Sequence, residues 1–170
     1  SPITSWAYSI LGQIYVVLPL ALLGVWGYKS DYQLFMNTEY LLMALFVFVW
    51  TNDTGAYIVG CTLGKHRLFE RISPKKSWEG FFGGLAFCII LASLANHIIP
   101  GMLSTAQWIG MGILTSIFST WGDLCESLLK RTAGVKDSGK ILPGHGGILD
   151  RFDSELIASP VIFIYLTFVL

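Results

Sequence analysis

The chain alternates long apolar runs with short polar ones, and the runs have the length of membrane helices. About 20 mainly apolar residues in a helix cross a bilayer. Runs at roughly Ile10–Tyr28, Leu41–Gly60, Phe81–Ile99, Trp108–Leu129 and from Ile157 to the end meet or approach that length. This pattern predicts an all-α, polytopic transmembrane fold of about five spans. The last run is short, as a truncated helix would be. Pro19 falls inside the first run and predicts a kink there. Trp6, Trp26 and Trp108 fall near predicted span ends and read as interfacial anchors.

Composition supports the same class. The chain is 54% hydrophobic and only 13% charged, where a soluble domain carries about a quarter charged residues. Eleven basic and eleven acidic residues cancel, which argues against nucleic acid as a partner, since that needs a basic surface. Cys61, Cys88 and Cys125 are odd in number, lie in or beside apolar runs and lack metal-ligand spacing. They read as small packing residues rather than disulfides or zinc ligands.

Charge in the connections sets the topology. Lys65, Arg67, Arg71, Lys75 and Lys76 lie in the loop before the third span, and Lys130, Arg131, Lys136, Lys140 and Arg151 in the loop after the fourth. Only Lys29 lies elsewhere. By the positive-inside rule the two basic loops face the cytoplasm. These loops are rich in Gly, Pro, Ser and Lys and are expected to be irregular, with short helical pieces.

Ionisable groups inside spans are costly and point to function. The second span carries Asn52 and Asp53; the fourth carries Asp123 and Glu126. Ser116, Thr120, Asp123, Ser127 and Lys130 follow steps of four, three, four and three, so they share one helix face, with Glu126 beside it. For Ser116 and Thr120 an interhelical hydrogen-bond seam is the better reading. Asp123 has few structural uses at that depth and reads as functional.

The loop after the fourth span concentrates chemistry. Its cations suit phosphate oxygens, Arg as a fork and Lys as a point charge. Gly144, Gly146 and Gly147 around His145 allow close backbone approach to a ligand. His145 is placed to donate to phosphate or to shuttle a proton, whereas His66 and His97 read as structural or solvated. Asp150 and Asp153, three apart, would project from one side of a helix beginning there. Carboxylates beside phosphate-binding cations suit Mg²⁺. In the other basic loop, Lys75, Lys76 and Ser77 suit a nucleotide phosphate, while Lys65, Arg67 and Arg71 fit an ordinary anchor to anionic lipid heads.

These residues resemble the phosphatidate cytidylyltransferase, or CDP-diacylglycerol synthase, family. That family's pattern runs Ser-x-x-Lys-Arg, four residues, Lys-Asp, then Pro-x-His-Gly-Gly-x-x-Asp-Arg-x-Asp. Ser127, Lys130, Arg131, Lys136, Asp137, Pro143, His145, Gly146, Gly147, Asp150, Arg151 and Asp153 fill it at the right spacing. Further likeness lies in Asn52-Asp-Thr-Gly-Ala-Tyr57, in Gly122-Asp-Leu-Cys-Glu-Ser127 and in Ser73-Pro-Lys-Lys-Ser-Trp-Glu-Gly80, where Ser77 replaces the more usual Thr. Residues 1–170 are then expected to be the C-terminal catalytic membrane region of a longer protein whose N-terminal spans are missing here.

The resemblance implies a Mg²⁺-dependent nucleotidyltransferase of phospholipid biosynthesis, with room for a second cation. It would transfer CMP from CTP to phosphatidate, giving CDP-diacylglycerol and pyrophosphate. Metal would be held by Asp123 and Asp150, with Asp53, Asp153 and Glu126 as further candidates. Lys130, Arg131 and His145 would join the two aspartates in catalysis. Lys75, Lys76, Ser77, Ser127, Lys136 and Arg151 would bind CTP phosphates. The protein is expected to act as a homodimer in a bacterial cytoplasmic membrane, with its site on the cytoplasmic side. A CTP-using kinase of a lipid alcohol and an ion or proton transporter using Asp53 and Asp123 are the competing readings. The motif after the fourth span favours the cytidylyltransferase.

Overall fold

The computed structural model describes residues 2–28, 38–135, 138, 139, 147 and 149–170. The first helix is continuous in three pieces: α1 (Pro2–Gly12), a π-helical stretch (Gln13–Val17) and α2 (Leu18–Tyr28). Pro19 lacks an amide hydrogen and its ring crowds the carbonyl four residues back, at Tyr15. Widening the helix to a π turn over that carbonyl is the local solution, so the predicted kink takes the form of a bulge.

Next come α3 (Thr38–Leu63), strands β1 (Arg67–Phe69) and β2 (Ser73–Ser77), then α4 (Trp78–Ile98), α5 (Thr105–Thr132) and α6 (Leu149–Val169). Consecutive helices from α3 to α6 pack against one another, and α2 lies against α3 and α6. The fold is therefore all-α and polytopic, apart from one small hairpin. Among the described residues four helices are long and apolar enough to cross a membrane: Pro2–Trp26, Glu39–Leu63, Trp78–Ile98 and Leu149–Val169. The 28-residue α5 has the length but carries the polar stripe. It is packed between α4 and α6.

Local chemistry sets the helix ends. Ser77 caps α4, its Oγ accepting from the Gly80 N–H at 3.1 Å. Ser104 and Gln107 form a reciprocal capping box at the start of α5. At its other end Val135 N–H donates to Lys130 O and Gly134 N–H to Arg131 O. This is a Schellman closure, and it needs the left-handed φ of 70° that Gly134 supplies.

The bundle divides along its length. Leu41, Leu45 and Phe48 of α3, Cys88 and Ala92 of α4, Trp108 and Met111 of α5, and Ile162 and Leu166 of α6 form one buried apolar cluster. Toward the hairpin end the buried residues become polar: Asn52, Ser116, Ser119, Glu126, Ser154 and Glu155. Trp26 and Trp108 belong to the apolar cluster, packing edge-on to Phe163 and tilted against Phe48. They are core residues rather than interfacial anchors, and only Trp6 of the three stays exposed.

Three sequence expectations are revised. The first helix starts at Pro2, ahead of Ile10. The last span runs from Leu149 rather than from about Ile157, taking in the helix start considered for Asp150 and Asp153, because Asp150, Asp153 and Glu155 lower the hydropathy of its first turns. The first basic loop is a hairpin, with Arg67 opposite Ser77 and Phe69 opposite Ser73. It is not an irregular loop with helical pieces.

Candidate active site at the hairpin end of the bundle

Small residues let the site's helices approach. A Cβ on Gly84 of α4 would meet Asn52 Oδ1 at 2.5 Å, and one on Gly80 would meet the Ala56 carbonyl at 2.8 Å. This close contact of α3 and α4 is the small-residue packing typical of membrane helices. At the α5–α6 crossing a Cβ on Gly122 would meet the Asp153 carbonyl at 2.5 Å. Asp123 and Asp153 are thereby drawn to the same level of the bundle.

Asn52 ties α3 to α5 at the floor of the site. Its Oδ1 accepts from Ser116 Oγ at 2.6 Å, and its Nδ2 donates to Ser119 Oγ at 3.2 Å and Thr120 Oγ1 at 3.4 Å. All four residues are buried. The seam expected for Ser116 and Thr120 is present, and Asn52 is its hub.

Above this floor lies a polar cavity of about 290 Å³, whose lining includes Asp53, Tyr57, Lys75, Lys76, Ser77 and Asp123. Lys76 Nζ stands 2.6 Å from Asp123 Oδ2, and Ser127 Oγ donates to Asp123 Oδ1 at 3.2 Å. Asp53 is within electrostatic reach of Lys76 and Asp123, and Asp153 of Asp123, Lys76 and Lys130. One lysine supplied by the hairpin thus pairs with Asp123 and lies within the electrostatic reach of carboxylates from two further helices.

Asp150 has a different setting. It accepts from Lys130 Nζ at 2.8 Å, Ser138 N–H at 3.0 Å, Ser138 Oγ at 2.9 Å and Gly147 N–H at 2.7 Å. Lys130 also pairs with the buried Glu126, one turn back on α5. Burial disfavours the Lys130 charge, but the hydrogen bonds that its ammonium donates to Asp150 and Glu126 outweigh it and hold the group above the ordinary lysine range. Asp150 and Lys130 therefore fasten the start of α6 and part of the preceding loop to the end of α5.

Asp53, Lys75, Lys76, Ser77 and Asp123 come together around the polar cavity, with Ser127 bonded to Asp123. Glu126, Lys130 and Asp150 form the neighbouring ion-pair cluster. Arg131 instead faces the hairpin across a separate crevice. Arg151 occupies the first turn of α6. Lys136, Asp137, Lys140 and the segment 140–146, including Pro143 and His145, lie outside the described residues. The hydroxyl of Ser77 is engaged in capping α4. Sequence reading did not single out Glu155, whose Oε2 is buried without a partner among the described residues. Its position just ahead of the last apolar run was the available signal.

Residues 2–169 match the profile of the Cytidylyltransferase family; the chain belongs to that family of membrane proteins. It is 41% identical over 160 residues to a phosphatidate cytidylyltransferase of Staphylococcus aureus (strain COL). It is 41% identical over 159 residues to the protein of that name from Staphylococcus haemolyticus, and 40% to that of Staphylococcus epidermidis. In each case 94% of this chain is covered, and the chain spans 61% of the length of the relative.

Proposed function

We propose that the full-length protein is a phosphatidate cytidylyltransferase, converting CTP and phosphatidate to CDP-diacylglycerol and pyrophosphate in phospholipid biosynthesis. The carrying observation is the Lys76–Asp123 pair at 2.6 Å, set in a polar cavity at the hairpin end of a membrane bundle. A phosphate oxygen of phosphatidate attacks the α-phosphorus of CTP. The bond from that phosphorus to the bridging oxygen breaks, and pyrophosphate leaves. No strong base is needed, because a phosphate monoester is largely ionised at neutral pH. The protein's task is to position two anions and lower their repulsion.

The donors fit Mg²⁺. Asp53 and Asp123 present hard oxygen ligands to one cavity. Among the described residues no three Asp, Glu, His or Cys enclose a metal alone, and Mg²⁺ commonly takes one or two carboxylates plus substrate phosphates. Asp123 and Asp53 would hold it, with Asp153 beside them; Asp150 would join by exchanging Lys130, and Glu126 by the same release. A bound Mg²⁺ supplies charge neutralisation at the phosphate oxygens. Lys75 and Lys76 from the hairpin, and Lys130 from the end of α5, would receive the triphosphate, while Arg131 faces the separate crevice. The resemblance further assigns Lys136 and Arg151 to that task and His145 to catalysis, with a second cation, a homodimer, and a bacterial cytoplasmic membrane with the site on its cytoplasmic face.

The test uses full-length protein in phosphatidate-containing vesicles with CTP labelled in cytidine or at the γ-phosphate. Cytidine label should enter the lipid in a Mg²⁺-dependent manner. Transfer of γ-label alone would make the protein a lipid kinase and overturn the assignment.

A further inference from the structure

Beyond the polar cavity, the hairpin and the end of α5 enclose a second and larger hollow of about 1290 Å³. Four cations line it: Lys65, Arg67 and Arg71 from the hairpin region and Arg131 from α5. Among the described residues none of the four pairs with a carboxylate. Glu70 is the one acid on this lining among the described residues, and His66 is engaged with Glu79 at 2.6 Å.

Unpaired positive charge alone would be an ordinary cytoplasmic anchor. The wall beneath it is different. Leu68, Phe69, Ile72, Trp78 and Leu128 line this hollow and also an apolar slot of about 280 Å³, which continues along Trp121, Leu124 and Cys125. Positions 121, 124, 125 and 128 share one face of α5, and Trp78 opens α4. The slot therefore runs from the basic rim along the ends of two bilayer-level helices. Phe69, Trp78, Trp121 and Leu128 remain 46–59% exposed, with no element among the described residues covering them.

We propose that this hollow and slot form a site for an anionic glycerophospholipid of the surrounding bilayer, separate from the polar cavity. Its phosphate lies among Arg67, Arg71 and Arg131, and part of an acyl chain lies in the slot. A soluble anion would satisfy the cations and leave the slot wet. A zwitterionic lipid would bring its own cation against four others. An anionic lipid satisfies both halves, through phosphate-matched arginine forks and an apolar lining. Only Leu68, Phe81 and Thr120 are shared between the slot and the polar cavity. A lipid seated here would brace the hairpin that carries Lys76 without occupying the carboxylate site.

Two tryptophans make the site readable. Full-length protein is placed in phosphatidylcholine nanodiscs containing equal fractions of bromine-chain phosphatidylglycerol or bromine-chain phosphatidylcholine, and tryptophan quenching is compared. Phosphatidylglycerol should quench more strongly. The excess should vanish in R67Q/R71Q, in R131Q and in W78F/W121F. Arg67, Arg71 and Arg131 are exposed side chains without carboxylate partners among the described residues, so these variants should fold, which size-exclusion profiles would verify. Equal quenching by the two lipids, or an excess that survives R67Q/R71Q, would overturn the proposal. So would complete displacement of the excess by millimolar glycerol 3-phosphate, which would mark a soluble-phosphate site. The readout involves no turnover, so it stands or falls independently of the cytidylyltransferase assignment.

Discussion

Lys76 on β2 and Asp123 on α5 are joined at 2.6 Å, so the loop between the second and third spans closes directly over the polar face of the fourth. Neither group has much reason to sit there unless the other is present. The contact converts two sequence-distant charge clusters into one cavity. It also fixes what should be perturbed first.

Asp123→Asn in the full-length protein should lower CDP-diacylglycerol formation by about 100-fold or more, the usual scale for losing a pre-organised charged group at a reacting centre. Membrane insertion and expression should be unchanged. Lys76→Ala should also be slow, and Lys76→Arg should recover part of the loss. Cytidine-labelled product formation measures all three. Undiminished turnover in Asp123→Asn would remove this residue from the site.

Lys130→Met leaves Glu126 and Asp150 buried beside each other without their shared cation. Breaking a buried pair by removing one partner costs about 3–5 kcal/mol. Adding Glu126→Gln should restore part of that, because one stranded charge is then removed. Unfolding in a denaturing-detergent titration provides the comparison; a double variant no more stable than the single would contradict the coupling.

Gly122→Ala should destabilise by about 1–3 kcal/mol, the cost of overpacking, since its Cβ would meet the Asp153 carbonyl at 2.5 Å. Activity should fall with it, because the same crossing aligns Asp123 with Asp153. Gly24→Ala, with nothing within 4 Å, is the matched control and should be neutral in both assays.

Asn52→Ala strips a partner from three buried hydroxyls and should cost about 1–3 kcal/mol, the penalty for unsatisfied buried groups. Asn52→Asp keeps the shape but buries a carboxylate without a cation and should cost at least as much stability. It places a charge next to Asp53 and should weaken activity more than Asn52→Ala weakens it per unit of stability lost. Parallel unfolding and turnover measurements on the two variants check this.

Much of this arrangement was legible because α5 writes its role in period. Ser116, Thr120, Asp123, Ser127 and Lys130 share a stripe that lipid cannot face, and the structure packs that stripe inward. The basic loops were equally plain from the placement of eleven cations. The hairpin was not legible: Arg67–Phe69 and Ser73–Ser77 are short, charged and contain Pro74, and no alternation survives. The early start of α6 was hidden for the opposite reason. Its acids are buried, so hydropathy reads them as loop. Trp26 and Trp108 misled because a tryptophan near a span end looks the same whether it meets headgroups or a neighbouring helix. The hub role of Asn52 depends on the approach allowed by Gly84, a pairing that no local pattern encodes.

The apolar cluster sits at one end of the bundle and the carboxylates at the other. Under the proposed function the site must admit a triphosphate and expel pyrophosphate, and opening is cheapest where few apolar contacts hold the chain. Leu45, Phe48, Trp108 and Ile162 act as the rivet of a pair of tongs. The jaws that carry Asp53, Asp123 and Asp153 can part while the rivet keeps the protein seated in its bilayer.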